Sequence, residues 1–369
     1  MDSLVEKLEE TLLMGPGPSS VPPRVYRAIS QFCIGHLDPR FIEIMDANKE
    51  QLRQVMLTKN QVTIPMSGTG SAGMETVLVN LMEPGDKVLV LVNGVFGARM
   101  KEIATRLRGE VDALEFEWGT PVVPEDVKAA LGKKKFKIVA VVHAETSTGV
   151  ANPVEEIGNL VKEHGALYVV DAVTSLGGMP VRVDEWGIDA LYSGTQKCLS
   201  CPPGLSPVTV SERAAEVVRN RETKVPNWYL DLSLLMNYWE GNTRAYHHTA
   251  PINMNYALYA ALQLILEEGL EKVWARHRET HEYLIDRLGE LGFTMLVDTP
   301  YRLPMLNAVV IPDGVDDKAV RARLLKEHRI EIGGGLGALA GKIWRVGIMG
   351  HTARKESVDR LADALKAII

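Results

Sequence analysis

The chain has 369 residues, more than one hydrophobic core usually organises, and its 46% hydrophobic and 24% charged residues exclude the disordered and fibrous classes. With 41 basic residues against 47 acidic ones the net charge is −6, so the basic excess that a phosphate backbone demands is missing and nucleic acid is not an expected partner. Three cysteines are too few, and too odd in number, for the disulfide framework of a secreted protein, which points to a reducing, cytoplasmic setting.

The first residues, MDSLVEKLEETLL, are acidic and amphipathic rather than basic and then apolar. No stretch reaches the length needed to span a bilayer, so no membrane partner is expected. Residues 1–20 are expected to form an arm. From about residue 60 to 210 short β-branched runs alternate with helical periods, which predicts an α/β sheet covered by helices on both faces. The predicted strands are Val62–Met66, Lys87–Asn93, Glu110–Trp118, Lys137–Glu145, Ala166–Ala172, Asp189–Gly194 and Leu205–Val210. Runs such as Val88-Leu89-Val90-Leu91-Val92 are apolar on both alternations, as in the doubly buried strands of a mostly parallel, seven-stranded sheet. Helices are predicted over Met74–Met82, Asn255–Glu268 and Leu270–Leu291, and the break at Gly269 separates a large unit, 21–268, from a smaller one, 269–369. The smaller unit repeats the alternation as strand Asn307–Ile311, helix Asp316–His328, strand Trp344–Ile348 and helix Lys355–Ala367, a second, smaller α/β region.

Three pieces carry chemistry. Ser67-Gly68-Thr69-Gly70-Ser71-Ala72-Gly73 lies between a strand and a helix, where unpaired N–H groups and the helix dipole favour a bound phosphate, although a glycine-rich turn alone can be a tight turn and nothing more. Asp171 closes an apolar strand, and Lys197 follows the next one; a crevice-facing carboxylate and amine at neighbouring strand ends form the pair that a lysine-linked cofactor with a pyridine ring requires. Each has a bland alternative, a loop cap or a surface charge. Their order along one crevice favours the chemical reading. Cys198 and Cys201 form a C-x-x-C without a second pair and are read as packing residues. His247 and His248 are adjacent, so their side chains are expected to diverge and no metal site is expected.

Seven ordered motifs extend the likeness over nearly the whole chain: Leu13–Pro18 (LMGPGP), Leu81–Asp86 (LMEPGD), His143–Gly149 (HAETSTG), Val170–Gly178 (VDAVTSLGG), Ser193–Gly204 (SGTQKCLSCPPG), Tyr246–Pro251 (YHHTAP) and Trp344–Gly350 (WRVGIMG). In these the sequence resembles the class V, fold-type I pyridoxal-phosphate aminotransferases of the alanine:glyoxylate and serine:pyruvate kind. The resemblance implies ping-pong transamination between alanine or serine and glyoxylate or pyruvate, through a Schiff base on Lys197 with Asp171 at the pyridine nitrogen. It further implies that Thr69, Gly70 and Ser71 hold the phosphate, that Gln196 and Thr146 lie near the ring hydroxyl or phosphate, and that Phe96 stacks on the ring where animal members carry Trp. Arg345 would grip the substrate carboxylate through two parallel hydrogen bonds, with Gly15 and Thr146 beside the substrate. Tyr246 and Thr249 would reach the phosphate of a second subunit, making each site shared across a homodimer. Within the same fold, the alternatives are a 2-aminoethylphosphonate:pyruvate aminotransferase and a class V lyase such as a cysteine desulfurase.

Overall fold

The computed structural model describes residues 4–239 and 244–369, so the first three residues of the predicted arm lie outside the described residues. A seven-stranded sheet forms from β1 (Val62–Ser67), β2 (Lys87–Val92), β3 (Glu110–Glu115), β4 (Ile138–Val142), β5 (Leu167–Asp171), β6 (Ala190–Tyr192) and β7 (Leu205–Val210). Their spatial order is β1-β7-β6-β5-β4-β2-β3, and only β7 runs against its neighbours. Six strands therefore share one direction, and their carboxyl ends open on one edge of the sheet.

Residue alternation explains the layering. Val88, Val90 and Val92 of β2 join one core and Leu89 and Leu91 the other, and Ile138, Ala140 and Val142 are split from Val139 and Val141 in the same way. Each such side chain contributes about 1.5–3 kcal/mol on burial, so strands apolar on both faces are held between two helix layers. The predicted β4 is too long by three residues at its end. Asn152 donates from Nδ2 to the Val142 carbonyl at 2.8 Å and the chain leaves the sheet, so that Ala144–Glu145 pairs with Val150–Ala151 as a separate hairpin. The helix after β1 begins at Gly70, four residues earlier than the pattern indicates, because the glycine-rich run supplies its first turn.

Helix Ile252–Glu268 stops at Gly269, whose φ of 89° ends it, and helix Leu270–Gly289 bridges two cores: Leu270, Val273 and Trp274 pack under the large sheet, Leu284 and Leu288 in a third core with Val309, Trp344, Val346 and Leu361. That third core backs a three-stranded sheet of Leu306–Val310, Ile343–Gly347 and Gly333–Gly334. The Gly333–Gly334 strand carries no side-chain signal and is absent from the sequence reading. Met14 joins the same core, and Leu12–Leu13 pairs in parallel with Ile330–Glu331, so the N-terminal segment is stitched to the C-terminal region. Among the described residues no helix is long and apolar enough to cross a membrane.

Candidate active site

The loops after β1, β2, β4, β5 and β6 converge on a cavity of about 280 Å³. Eight predicted site residues line it: Thr69, Gly70, Ser71, Phe96, Thr146, Asp171, Gln196 and Lys197. Arg345 reaches the same place from the small sheet, with Nη1 3.5 Å from the Thr146 carbonyl and Nε donating to the Gly334 carbonyl at 2.8 Å. Gly15, Tyr246 and Thr249 do not line the cavity, and neither does Arg345, which adjoins it through the Thr146 carbonyl. Gly15 packs on the backbone of Ile332 and Gly333, and the glycine that meets the lysine is Gly17, where a Cβ would lie 2.7 Å from Lys197 Cδ. A larger cavity of about 580 Å³, lined by Leu199, Arg276 and Arg354 among others, holds none of the predicted residues.

The N-terminal segment braces the lysine. Lys197 Nζ donates to the Pro16 carbonyl, Ser19 Oγ donates to the Lys197 carbonyl at 2.7 Å, and the Ser19 N–H donates to the Gln196 carbonyl at 2.9 Å. Lys197 is buried, and burial with the nearby Arg345 charge lowers its ammonium to about 8, which brings the nucleophilic free amine within reach of neutral pH. Asp171 is buried too. One oxygen accepts from the Val173 N–H at 2.8 Å and the other from the Tyr192 hydroxyl at 2.9 Å. Burial pushes its carboxyl up to about 7; those hydrogen bonds and Lys197 oppose the rise, and Glu145 adds to it. An acid so placed gains its charge most readily when a cation is brought to it. Arg345 makes no ion pair among the described residues, and burial lowers its pKa while Glu145 raises it. Its guanidinium is therefore held by carbonyls alone, and a substrate carboxylate would complete it.

Sequence reading passed over two residues here. Glu145 is fully buried and accepts four hydrogen bonds: from the N–H groups of Phe96 (3.1 Å) and Gly97 (3.3 Å) on one oxygen, and from Ser147 N–H (3.1 Å) and Oγ–H (2.5 Å) on the other. Ser147 Oγ in turn accepts from the Val95 N–H at 2.9 Å, so the hairpin caps the first turn of helix Val95–Arg106 and fixes where Phe96 stands. A Cβ at Gly94 would lie 2.5 Å from Glu145 Cδ, which is why only glycine fits there. An acid between small residues at the end of an apolar strand was the available signal. The second residue is Arg99, which also lines the cavity.

His247 and His248 converge rather than diverge: their Nδ1 atoms are 2.8 Å apart, and His248 Nε2 lies 2.7 Å from Ser67 Oγ. Stacking of the His247 ring on Trp228 (centroids 4.3 Å apart, 9° between planes) holds one ring, and burial lowers His248 to about 4, so the contact joins two imidazoles of which one is neutral. No cluster of three metal-ligating side chains occurs among the described residues. Cys198 and Cys201 are buried; burial raises both thiols, Cys198 to about 12, and Cys198 Sγ lies 3.3 Å from the Thr174 carbonyl. Cys33 is exposed and does not line the cavity, so no thiol is poised for sulfur transfer.

The donor set fits a flat aromatic ring with an anionic arm. Phe96 and Val173 give apolar walls, the N–H groups of Gly70 and Ser71 start a helix and lack helical partners, and Gln196 Oε1 is buried with no hydrogen-bond partner among the described residues. Comparison with known proteins agrees. The family described as aminotransferase class-V matches residues 11–361. The chain is 42% identical to the (S)-ureidoglycine–glyoxylate transaminase of Bacillus subtilis over 97% of this chain and 90% of that protein. It is 40% identical to the alanine–glyoxylate aminotransferase of Oryctolagus cuniculus over 96% of this chain and 91% of that one. The crystal structure of an alanine–glyoxylate aminotransferase from Nostoc sp. superposes with a TM-score of 0.97 at 51% identity, covering 100% of this chain and 97% of that chain. With the family match and the superposition extending over nearly its full length, the chain belongs to the class V aminotransferases and has the α/β architecture of their fold-type I, pyridoxal-phosphate-dependent enzymes.

Proposed function

We propose that the protein moves the amino group of a small amino acid, alanine or serine, to a 2-oxo acid, glyoxylate or pyruvate, using pyridoxal phosphate bound in the Lys197 cavity. One observation carries this reading: a buried lysine amine with a depressed pKa shares a cavity with Asp171 and lies within reach of the Arg345 charge. Lys197 would hold the cofactor covalently, Asp171 would pair with its ring nitrogen, Thr69, Gly70 and Ser71 would hold its phosphate, Phe96 would cover its ring, and Gln196 and Thr146 would meet its polar edge. When bound, the cofactor supplies a covalent handle for the substrate amine and an electron sink for the pair left at Cα. The protein's part is then positional and acid–base. Arg345 orients the substrate by its carboxylate, and the Lys197 amine takes the proton from Cα as general base.

A cavity of about 280 Å³ leaves little room beside a ring for a long substrate side chain, which supports a short donor. Both relatives named for glyoxylate support that acceptor. Their different donors make a ureido-substituted glycine the second reading. A steady-state panel of alanine, serine, ureidoglycine, 2-aminoethylphosphonate and phenylalanine against glyoxylate and pyruvate decides among them, and faster turnover of phenylalanine than of alanine would remove the short-donor reading. Borohydride reduction followed by peptide mapping should fix the cofactor to Lys197; a label elsewhere removes the cofactor reading.

Tyr246 and Thr249 belong to the same proposal as groups donated to the site of a second subunit. Their support is negative and positional: Tyr246 is exposed, its hydroxyl lies 3.3 Å from Thr249 Oγ1, and neither residue lines its own chain's cavity. Mixing inactive K197A chains with weakly active Y246F/T249A chains should restore activity if sites are shared. The division into an arm (1–20), a large unit (21–268) and a small unit (269–369) is also proposed, supported by the separate core around Trp344. Gly15 fits better as a packing residue between the arm and the small sheet than as a substrate contact.

A further inference from the structure

The phosphate end of the cavity poses a charge problem. A phosphomonoester carries roughly −1.5 to −2 charges at neutral pH, and hydroxyls with a helix N-terminus supply only partial positive charge against it. Among the residues lining the cavity just two side chains are cationic, Lys197 and Arg99, and Lys197 is committed to the other end.

Arg99 stands where the missing charge is needed. It lies on the first turns of helix Val95–Arg106, three residues after Phe96 and hence on the same face. Its Nη1 donates to Ser71 Oγ at 3.1 Å, in the first turn of the helix that follows the glycine-rich loop. Its guanidinium carbon sits 5.0 Å from the centroid of the Phe96 ring. No carboxylate pairs with it among the described residues, whereas Arg106, farther along the same helix, is paired with Glu102 at 2.8 Å. An unpaired guanidinium, steadied by an aromatic face and a serine hydroxyl, keeps its remaining donors for an incoming anion. Because Arg99 is exposed, a rotation about its side chain suffices to bring the fork onto a phosphate at the mouth of the cavity.

We infer that Arg99 is a phosphate-binding residue of the cofactor site, the side chain that neutralises the dianion above the Thr69–Ser71 turn. The inference rests on the cofactor reading given above. It differs from a packing role for Arg99, in which the guanidinium serves only to hold the Phe96 ring.

The test compares ligands with and without the phosphate. Wild-type protein, R99Q and R99K freed of cofactor are titrated with pyridoxal phosphate and with pyridoxal, followed by tryptophan fluorescence, and their melting temperatures are measured with and without inorganic phosphate. R99Q is expected to weaken pyridoxal phosphate binding about tenfold or more and to leave pyridoxal binding within twofold, with R99K intermediate. Stabilisation by inorganic phosphate should be present in the wild type and lost in R99Q. Equal losses for both ligands, or no loss for either, would overturn the inference. Failure of the wild type to bind pyridoxal phosphate while phosphate still stabilises it in an Arg99-dependent way would sink the cofactor reading alone.

Discussion

The two ends of the Lys197 cavity are built on opposite electrostatic rules. At the closed end Asp171, Glu145, Tyr192 and Lys197 are all buried, and burial is the leading cause of every pKa shift there. At the open end a helix N-terminus, two hydroxyls and an exposed arginine face outward. Desolvation makes the closed end a place where a proton can be moved at little cost, because both its amine and its acid are poised near neutrality. Partial charges and a movable guanidinium suit the open end to holding a fixed anion. In the proposed function, chemistry and anchorage are thereby separated along a single ligand.

The largest expected effect comes from the closed end. K197A removes the amine proposed to anchor the cofactor and to move the Cα proton, and turnover should fall by about 10³-fold or more, with no borohydride-stable label on the chain. Next comes the guanidinium above it: R345Q should raise the KM for carboxylate substrates by about 10²-fold and R345K by nearly as much, because an ammonium cannot form the parallel pair of hydrogen bonds. A steady-state comparison of KM and kcat checks this; a change confined to kcat would place Arg345 outside substrate binding.

Asp171 tests the desolvation rule through stability. Its folded pKa is raised from 3.8 to about 7, so in the cofactor-free protein the folded state binds the extra proton between these values. The stability tied to that proton is full below the unfolded pKa and is lost as pH rises through about 7. D171N cannot ionise. The stability of D171N relative to wild type should therefore grow from about pH 4 to about pH 7, by roughly 2–4 kcal/mol in denaturant titrations. A flat difference would mean that the carboxylate is solvated.

E145Q sharpens the contrast from the other side. Replacing one oxygen with an NH₂ sets a donor against the N–H groups of Phe96 and Gly97 or against Ser147, with an expected loss of about 1–3 kcal/mol of stability. Loss of its charge should also lower the Asp171 pKa, so that the stability loss tied to Asp171 ends at a lower pH, an effect that R99Q at the open end should not produce.

The division between what the sequence disclosed and what it withheld follows the same physics. Strands β2 and β4 were legible because both of their faces are apolar, Asp171 because it ends such a run, and Lys197 because it follows the next strand by a short turn. Arg345 came from its motif. Gly333–Gly334 stayed hidden since glycine carries no strand signal, although this strand supplies the carbonyl that holds Arg345. The bracing of Lys197 by Pro16 and Ser19 joins residues nearly half the chain apart, and no local pattern reports a contact between backbone carbonyls and distant side chains. Glu145 and Arg99 were missed for opposite reasons: one looks like an ordinary strand-end acid, the other like an ordinary surface charge.

The smallest effect is expected at the C-x-x-C pair, which the sequence marks as packing residues. Cys198 adjoins Lys197, yet its thiol is buried and pushed up to about 12, and Cys201 shares that burial. A thiol that does not ionise neither attacks nor oxidises readily. Native protein treated with iodoacetamide at about pH 8 should therefore be alkylated at Cys33 and nowhere else, with Cys198 and Cys201 reacting only after denaturation. C201A should keep activity within about twofold and lose stability in proportion to the small cavity it leaves. Alkylation of Cys198 in the native state would show water and reagent reaching the floor beneath Lys197, and the desolvation that makes the lysine nucleophilic would then need another cause.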